Sequence, residues 1–323
     1  MRDIVDDVRI SDLAILRKSN LKNLRLGSVI RLIKRVYRAS ILMRDYDLVY
    51  INTIPVLDYI LATRFSHQPA IVHVHELPTG TTSTILSALL RFSGAAVLFN
   101  SHATAQSFSL SQDQSREVLW NGLPDYTVPR STKPKAELNI LMIGRFNAWK
   151  GQATLIRALA SLSIDQRAKI RVRIVGSYFE NQRHYYDNIV QLVQENDLSE
   201  IAEILPFRED PSDLYAWADI VTVPSEAPEP FGLVAVEAMA ASCCVIAANH
   251  GGLREIVVDG STGTLVVPGN ADHLATAIAT YLENPILAQQ HGSAGRDRFL
   301  SEFHESRYME RIGNFIGSRI SRS

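Results

Sequence analysis

Short apolar runs alternate with longer stretches of helical periodicity from residue 47 onward. Such runs are typical of buried strands, and the stretches between them are typical of crossover helices. The predicted strands are residues 47–52, 70–75, 95–100, 117–120, 138–143, 171–175, 202–205, 220–223, 245–247 and 264–267. Strands separated by helices form parallel sheets with helices on both faces. We therefore expect an α/β fold of doubly wound sheets, with ligands at the carboxyl ends of the strands.

Residues 124–135 separate a first group of predicted strands from a second. This segment is polar and rich in proline, which is typical of a linker. A chain of 323 residues, of which 46% are hydrophobic, is long enough for two ordinary domains. We expect one domain at residues 1–130 and another at 131–323, with the last helix packing back on the first domain.

Bulk properties exclude several classes of protein. A net charge of -1 argues against a strongly basic nucleic-acid-binding protein. Cys243 and Cys244 are adjacent in an apolar run, so they suit neither a structural disulfide nor a zinc site and are expected in the core of a cytosolic protein. No apolar run reaches membrane-spanning length, and the first residues lack a signal-peptide pattern. The expected location is the cytoplasm, either free or peripheral on the inner face of the cytoplasmic membrane.

A basic amphipathic segment spans residues 17–44. It contains nine Lys and Arg residues, no Asp or Glu, and apolar residues at an approximately helical period. The segment suits an anionic membrane surface. It equally suits a domain helix whose apolar stripe packs on a sheet while its basic side chains stay solvated, and the two interpretations are compatible.

Two glutamates bracket the start of an apolar helix. The buried strand at 219–224 is followed by a short loop that contains Glu229, and Glu237 lies about two turns into the helix predicted from Phe231 onward. Unpaired amides at a helix N-terminus bind phosphate and other anions. The neighbours of Glu237 are apolar, so its carboxylate needs a partner, and a ligand hydroxyl is a good candidate. Sugars and riboses offer such hydroxyls.

This segment resembles the motif of two glutamates separated by seven residues in retaining glycosyltransferases of family 4, which have the GT-B fold. Further matches follow in the expected order, and together they cover about the last two thirds of the chain. They are residues 143–151 (IGRFNAWKG), Pro224-Ser225, residues 251–257 (GGLREIV) and residues 259–263 (DGSTG). The resemblance implies that residues 1–130 form the acceptor-side domain and that residues 131–323 bind a nucleotide sugar.

The resemblance also implies roles for particular residues. Glu229 would orient the transferred sugar, and Glu237 would anchor the ribose hydroxyls. Arg145 and Lys150 flank a loop after a predicted strand, where they would face the amides of Phe231, Gly232 and Leu233 and hold a diphosphate without a metal. The alternative for the two cations is an ordinary exposed loop. No cofactor is expected besides the donor substrate.

Two histidines share one face of the strand at 70–75. Strand alternation places His73 and His75 together, away from Val72 and Val74. His75 ends the strand, where the family has a histidine near the transferred sugar, so we expect it to assist Glu229, whereas His73 is expected to be structural.

Phe207 follows a strand where relatives contact the nucleotide base, and it is either a stacking partner or a core residue. Asp45-Tyr46-Asp47 imitates the metal-binding Asp-x-Asp of the other large glycosyltransferase fold, but it precedes its strand instead of ending it, so no metal site is expected.

The start of the chain departs from the family pattern. Similar chains usually open with a strand and a glycine-rich loop that faces the acceptor, whereas here the first glycine is Gly27. We expect a shortened first domain, in which either the acceptor site is built differently or the natural start is missing.

The activity implied is transfer of a hexose, with retention, from a nucleotide-diphosphate sugar to a hydroxyl of a glycan or lipid-linked acceptor in cell-surface polysaccharide or lipopolysaccharide synthesis. The main alternative is a nucleotide-sugar-binding subunit without turnover. An epimerase or a phosphorylase on the same fold is a weaker alternative.

Overall fold

The computed structural model describes residues 13–15, 26–125 and 137–320, which fall into two compact units. The first unit comprises the chain up to Leu119 and the residues from Ile312 on; the second is Trp120–Arg311. Several sequence predictions lie outside the described residues, among them the boundary at 130/131, most of the linker at 124–135, and Arg17, Lys18, Lys22 and Arg25 of the basic segment. The predicted boundary stays a prediction.

The first unit contains a four-stranded parallel sheet in sequence order. Its strands are β1 (Val49–Ile51), β2 (Ala70–Val74), β3 (Ala96–Phe99) and β4 (Arg116–Val118). Its helices are α1 (Leu26–Leu42), α2 (Leu57–Ala62), α3 (Gly80–Ser93) and α4 (His102–Gln106). One face of the sheet packs Val72, Val74 and Val97 against Leu86 and Leu90 of α3.

The second unit contains a six-stranded parallel sheet in the order β10-β9-β8-β5-β6-β7. The strands are β5 (Leu138–Ile143), β6 (Ile170–Gly176), β7 (Ala202–Pro206), β8 (Ile220–Val223), β9 (Cys244–Ala248) and β10 (Gly263–Val266). The helices are α5 (Gln152–Ser161), α6 (Ile164–Arg167), α7 (Arg183–Glu195), α8 (Ser212–Trp217), α9 (Leu233–Ala240), α10 (Leu253–Ile256), α11 (Ala271–Glu283) and α12 (Pro285–Arg298). The final helix, α13 (Glu305–Ile320), belongs to the second unit up to Arg311.

Apolar residues fill both faces of the second sheet. Ile140 and Met142 of β5 pack with α5, α7 and α11, whereas Leu141 between them packs on the opposite face with α8 and α9. Successive side chains of a strand point to opposite faces, so a continuous apolar run is buried on both sides. This explains why the strands of this sheet are mostly apolar, and it confirms the doubly wound arrangement predicted for this part of the chain.

All ten predicted strands are present, and their ends agree with the prediction within two residues. Cys243 and Cys244 are buried and unbridged, as expected for core residues. In the described part of the chain, no helix has both the length and the apolar character needed to cross a bilayer.

Candidate functional site

The strand order of the second unit places a switch point between β5 and β8. The chain runs outward from β5 through β6 to β7, then returns to pair β8 with the other edge of β5 and continues to β9 and β10. Ligands of doubly wound sheets bind outside the carboxyl ends of the strands at such a point. The loops that leave β5 and β8 here are residues 144–151 and 224–232, which contain Arg145, Lys150 and Glu229.

The Glu229 side chain is buried in the loop after β8 and is only 7% exposed. Its Oε1 atom accepts hydrogen bonds from Lys150 Nζ and from Ser225 Oγ, both at 2.6 Å. A buried carboxylate is tolerated only when it is paired, so these two donors keep Glu229 in its position. The structure therefore brings together two of the predicted catalytic residues.

The glycines of residues 251–257 position the Glu229 backbone. Gly252 N–H donates to Glu229 O at 2.8 Å. Gly251 has a φ of +56°, and a Cβ atom there would lie 2.4 Å from Glu229 O and 2.8 Å from Glu229 N. Only glycine permits this backbone approach, which gives a physical reason for the Gly-Gly pair of the motif.

His250 connects the same two loops. Its Nε2–H donates to the Ser225 carbonyl oxygen at 2.8 Å, and Ser225 in turn donates through Oγ to Glu229. His250 was absent from the predicted site, because a histidine outside the matched motifs carries no signal of this contact.

The loop that carries Lys150 is held by its own residues and by the loop after β8. Asn147 Oδ1 accepts from the Lys150 amide at 2.9 Å, and Gln152 Nε2 donates to Arg145 O at 3.0 Å. Gly151 has a φ of +85°, and a Cβ atom there would lie 2.1 Å from the Pro224 carbonyl oxygen. The two loops are therefore in backbone contact, which sets the distance from Lys150 to Glu229.

Arg145 lies on the solvent side of this loop. Its side chain is exposed, and its guanidinium carbon lies 4.1 Å from the centre of the Phe179 ring. Stacking on an aromatic ring directs the guanidinium without removing it from water. Arg145 and Lys150 thus differ in environment, since Lys150 is engaged by Glu229 and only 19% exposed.

The helix α9 begins at Leu233, two residues later than predicted. Gly232 precedes it with a φ of +121°, and Phe231 turns its ring into the core, 6.1 Å from the Phe303 ring. The predicted contribution of Phe231, Gly232 and Leu233 is through their amides, and the first amides of a helix lack acceptors within it. The body of α9 is buried, as predicted from its apolar sequence.

Glu237 lies in α9 with a protein partner. Its Oε2 atom accepts a hydrogen bond from Tyr215 Oη at 2.6 Å. Burial raises the pKa of Glu237, and the hydrogen bond from Tyr215 acts in the opposite direction. The two oxygens of a carboxylate accept about four hydrogen bonds, so a ligand hydroxyl can bind beside Tyr215. Tyr215 was not predicted, since its helix α8 shows no motif.

Phe207 directly follows β7 and is 63% exposed. The interpretation as a core residue is therefore wrong, because more than half of the side chain contacts solvent. Stacking on a base stays a prediction.

His75 lies in the first unit, at the carboxyl end of β2. Its Nε2–H donates to Asn52 Oδ1 at 2.9 Å, and burial lowers its pKa. Its ring centre is 4.0 Å from that of His73, so the two rings share a face as predicted. His73 is 1% exposed and contacts Tyr50 Oη through Nδ1 at 2.5 Å, which agrees with a structural role. The role of His75 toward a sugar stays a prediction.

Asp45 ends a short 3-10 turn before β1, and Asp47 also precedes that strand. Among residues 13–15, 26–125 and 137–320, no group of three or more His, Cys, Asp or Glu side chains is arranged to hold a metal ion. Metal independence stays a prediction for experiment.

The family model described as "Glycosyl transferases group 1" matches residues 127–298, which is more than half of the chain. The chain belongs to this family. The match covers Arg145, Lys150, Glu229 and Glu237, the residues that the motifs singled out. The family resemblance drawn from these motifs is therefore confirmed.

Curated relatives match this chain over only part of their own length. The D-inositol 3-phosphate glycosyltransferase of Kineococcus radiotolerans is 35% identical over 159 residues, which are 45% of this chain and 36% of the relative. The corresponding enzyme of Rhodococcus opacus is 34% identical over 152 residues, covering 46% of this chain and 34% of the relative. The matched region thus spans about a third of the length of these curated relatives.

The fold is shared over a larger part of the chain. The structure of Anabaena Alr3699/HepE in complex with UDP and glucose has a TM-score of 0.78 at 27% identity, covering 91% of this chain and 83% of that one. Sucrose-phosphate synthase from Thermosynechococcus elongatus has a TM-score of 0.78 at 25% identity, covering 97% and 87%. These similarities confirm the predicted GT-B fold.

Proposed function

We propose that this protein is a retaining glycosyltransferase that moves a hexose from a nucleotide-diphosphate sugar to a hydroxyl of a glycan or lipid-linked acceptor. Membership of the group 1 family supports the reaction class. The acceptor class and a role in cell-surface polysaccharide or lipopolysaccharide synthesis rest on the sequence resemblance.

The observation that carries the proposal is the Lys150–Glu229 pair at the switch point. An ammonium at 2.6 Å from a buried carboxylate offers one group for an anion and one for hydroxyls within a single hydrogen-bonded unit. A donor that carries a sugar on a diphosphate has these two kinds of group directly beside each other. Lys150 would bind the phosphate next to the sugar, while Glu229 would accept from the sugar hydroxyls.

Catalysis would depend on electrostatic stabilisation of the departing diphosphate. Negative charge on this group grows as the bond to the sugar breaks. Lys150, Arg145 and the amides at the start of α9 would face that charge, and the dipole of α9 adds to their effect. Fixed loops and backbone contacts hold these groups before the donor arrives, so little reorganisation is needed during the reaction.

Retention would follow a front-face route, in which acceptor and leaving group occupy the same side of the sugar. A phosphate oxygen of the leaving group then accepts the proton from the acceptor hydroxyl, and no protein base is assigned. Glu229 would orient the sugar, and the supporting role proposed for His75 rests on the sequence resemblance. We propose that the reaction needs no metal, since two cationic side chains and a helix N-terminus supply the positive charge.

The donor proposed first is a UDP sugar. Structures of Anabaena Alr3699/HepE contain UDP or UDP-glucose. Glu237 would accept hydrogen bonds from the ribose hydroxyls, as acidic residues do in dinucleotide sites. Phe207, exposed after β7, would stack on the base.

The test is a thermal-shift panel of UDP, GDP, ADP and TDP sugars with and without EDTA, followed by an assay of nucleotide release. We expect UDP sugars to stabilise the protein whether or not EDTA is present, and to release UDP when an acceptor is supplied. Binding without release, across candidate acceptors, would instead favour the nucleotide-sugar-binding subunit. Activity without any acceptor, with the nucleotide still attached to the sugar, would favour an epimerase.

A further inference from the structure

Helix α1 in the first unit uses only part of its apolar surface for packing. Ala39 of α1 and Met43, which directly follows the helix, are buried against Ala62 of α2. Val36 and Tyr59 are partly buried beside them. Through this contact one apolar side of α1 packs on the core of its unit, as is usual for an amphipathic surface helix. Another apolar row of the same helix remains in solvent.

The exposed apolar row of α1 consists of Ile30, Ile33, Tyr37 and Ile41. Their exposed fractions are 47%, 62%, 66% and 43%. Spacings of three and four residues put them in one stripe along the helix. Exposed apolar residues that stand singly are ordinary, but a continuous stripe of four marks an interaction surface.

A basic row lies beside this stripe. Arg31, Lys34 and Arg38 are exposed, and each follows one member of the apolar row by a single position, so it projects from the neighbouring face. The sequence of α1 contains no Asp or Glu. The exposed half of the helix is therefore apolar along one row and cationic along the next.

We propose that α1 docks on an anionic lipid surface. Its apolar row would enter the boundary between headgroups and acyl chains, while its basic row contacts the lipid phosphates. A second copy of this chain fits less well, because a two-fold contact through α1 would bring two basic rows together. The charge of the helix selects an acidic surface.

An aromatic pair in the same unit has related chemistry. Phe65 and Phe92 are 60% and 48% exposed, and their ring centres lie 6.4 Å apart. Arg64 and Arg91, each exposed, directly precede them. Aromatic and cationic side chains are favoured at the membrane–water interface.

This inference goes beyond the proposed function, since lipid binding needs neither donor nor turnover. It is tested with the full chain by flotation on vesicles of phosphatidylcholine alone or with about one third phosphatidylglycerol. Two variants address the two rows: Ile33→Ser with Tyr37→Ser, and Arg31→Glu with Lys34→Glu. The matched controls are Ile164→Ser with Ile286→Ser, both highly exposed in the second unit, and Lys169→Glu with Arg183→Glu.

We expect binding to anionic vesicles that weakens in about 0.5 M salt, where charges are strongly screened. The Arg31→Glu and Lys34→Glu variant should reduce partitioning at least about tenfold, because one basic side chain near an anionic surface contributes roughly a fivefold factor. The Ile33→Ser and Tyr37→Ser variant should also reduce partitioning at least about tenfold, because two apolar side chains no longer enter the lipid. The controls should partition like the wild type, and unchanged thermal melting and unchanged UDP binding would show that the variants are folded.

Three results would overturn the proposal. One is failure of the wild-type protein to float with anionic vesicles. Another is equal partitioning of wild type and both row variants. A third is a concentration-dependent dimer, seen by sedimentation, that is lost in the Ile33→Ser and Tyr37→Ser variant while lipid binding is absent, which would assign the row to a second copy of the chain.

Discussion

Lys150 Nζ lies 2.6 Å from Glu229 Oε1, although the two residues are 79 positions apart in the chain. The contact joins the loop after β5 to the loop after β8. Backbone contacts at Gly151 and Gly251 hold both loops in place. The two predicted catalytic side chains are thus positioned by glycines, because a residue with a Cβ atom would not fit at Gly151 or Gly251.

Breaking this pair should cost stability in a way that a second substitution repairs. Lys150→Met should lower the free energy of unfolding by about 1–3 kcal/mol, because it leaves the buried Glu229 carboxylate with Ser225 as its remaining donor among those seen here. Adding Glu229→Gln should recover most of this loss by removing the charge. Denaturant unfolding measures both, with the exposed Lys169→Met as control; an unchanged stability in Lys150→Met would contradict the pairing.

Arg145 should affect turnover much more than stability. Arg145→Ala should reduce kcat by about a hundredfold, as expected when a donor to a developing negative charge is removed. Phe179→Leu tests whether the stacked ring directs the guanidinium, and it should have a smaller effect. Arg183→Ala, which removes an exposed ion pair with Asp187, serves as a matched control and should leave kcat unchanged. Full turnover in Arg145→Ala would remove this residue from the phosphate site.

Two glycines with similar φ angles should respond differently to replacement by alanine. Gly251 and Gly260 have φ values of +56° and +69°, but a Cβ atom at Gly251 meets the Glu229 backbone, whereas nothing lies within 4 Å at Gly260. Gly260→Ala should cost about 1 kcal/mol from backbone conformation alone. Gly251→Ala should cost about 3 kcal/mol and also lower donor affinity, since Glu229 must shift. Equal melting temperatures for the two variants would contradict the role given to Gly251.

His73 should make the protein sensitive to mild acid. Burial, helped by His75, lowers the pKa of His73 from 6.5 to about 3. Between these pH values His73 binds a proton in the unfolded chain but not in the folded chain, so stability falls as the pH drops below 6.5 toward 3. Between pH 7 and pH 5 this group should remove about 2 kcal/mol of stability. Denaturant unfolding of the wild type and His73→Asn at both pH values measures the difference, and an equal pH dependence in the two proteins would refute it.

The strands, the buried helix α9 and the residues of the matched motifs could be predicted from the sequence. The runs at 138–143 and 220–223, which are mostly apolar, form strands because a strand covered on both faces favours apolar residues at successive positions. The buried body of α9 followed from the same reasoning. These features depend on local composition, which a single sequence displays.

Contacts between distant elements could not be predicted in this way. Tyr215 reaches Glu237 from α8, and His250 reaches Ser225 from the loop after β9, because the order of strands in the sheet brings these elements together. The late start of α9 has a local reason that periodicity does not display, since Phe231 is apolar but enters the core before the helix begins. The sequence also left open which apolar residues of α1 pack against the first unit, because packed and exposed apolar residues have the same identities.

The roles of Glu229 and Glu237 are the central claim, and calorimetric titration of UDP and UDP-glucose into the wild type, Glu229→Ala and Glu237→Ala tests it most directly. Glu237→Ala should weaken both ligands by about tenfold or more, because a hydrogen bond to a charged group is lost with the ribose. Glu229→Ala should leave UDP within about threefold and weaken only the sugar-bearing ligand by about tenfold. Equal losses for both ligands in both variants would contradict the assignment of sugar to Glu229 and ribose to Glu237.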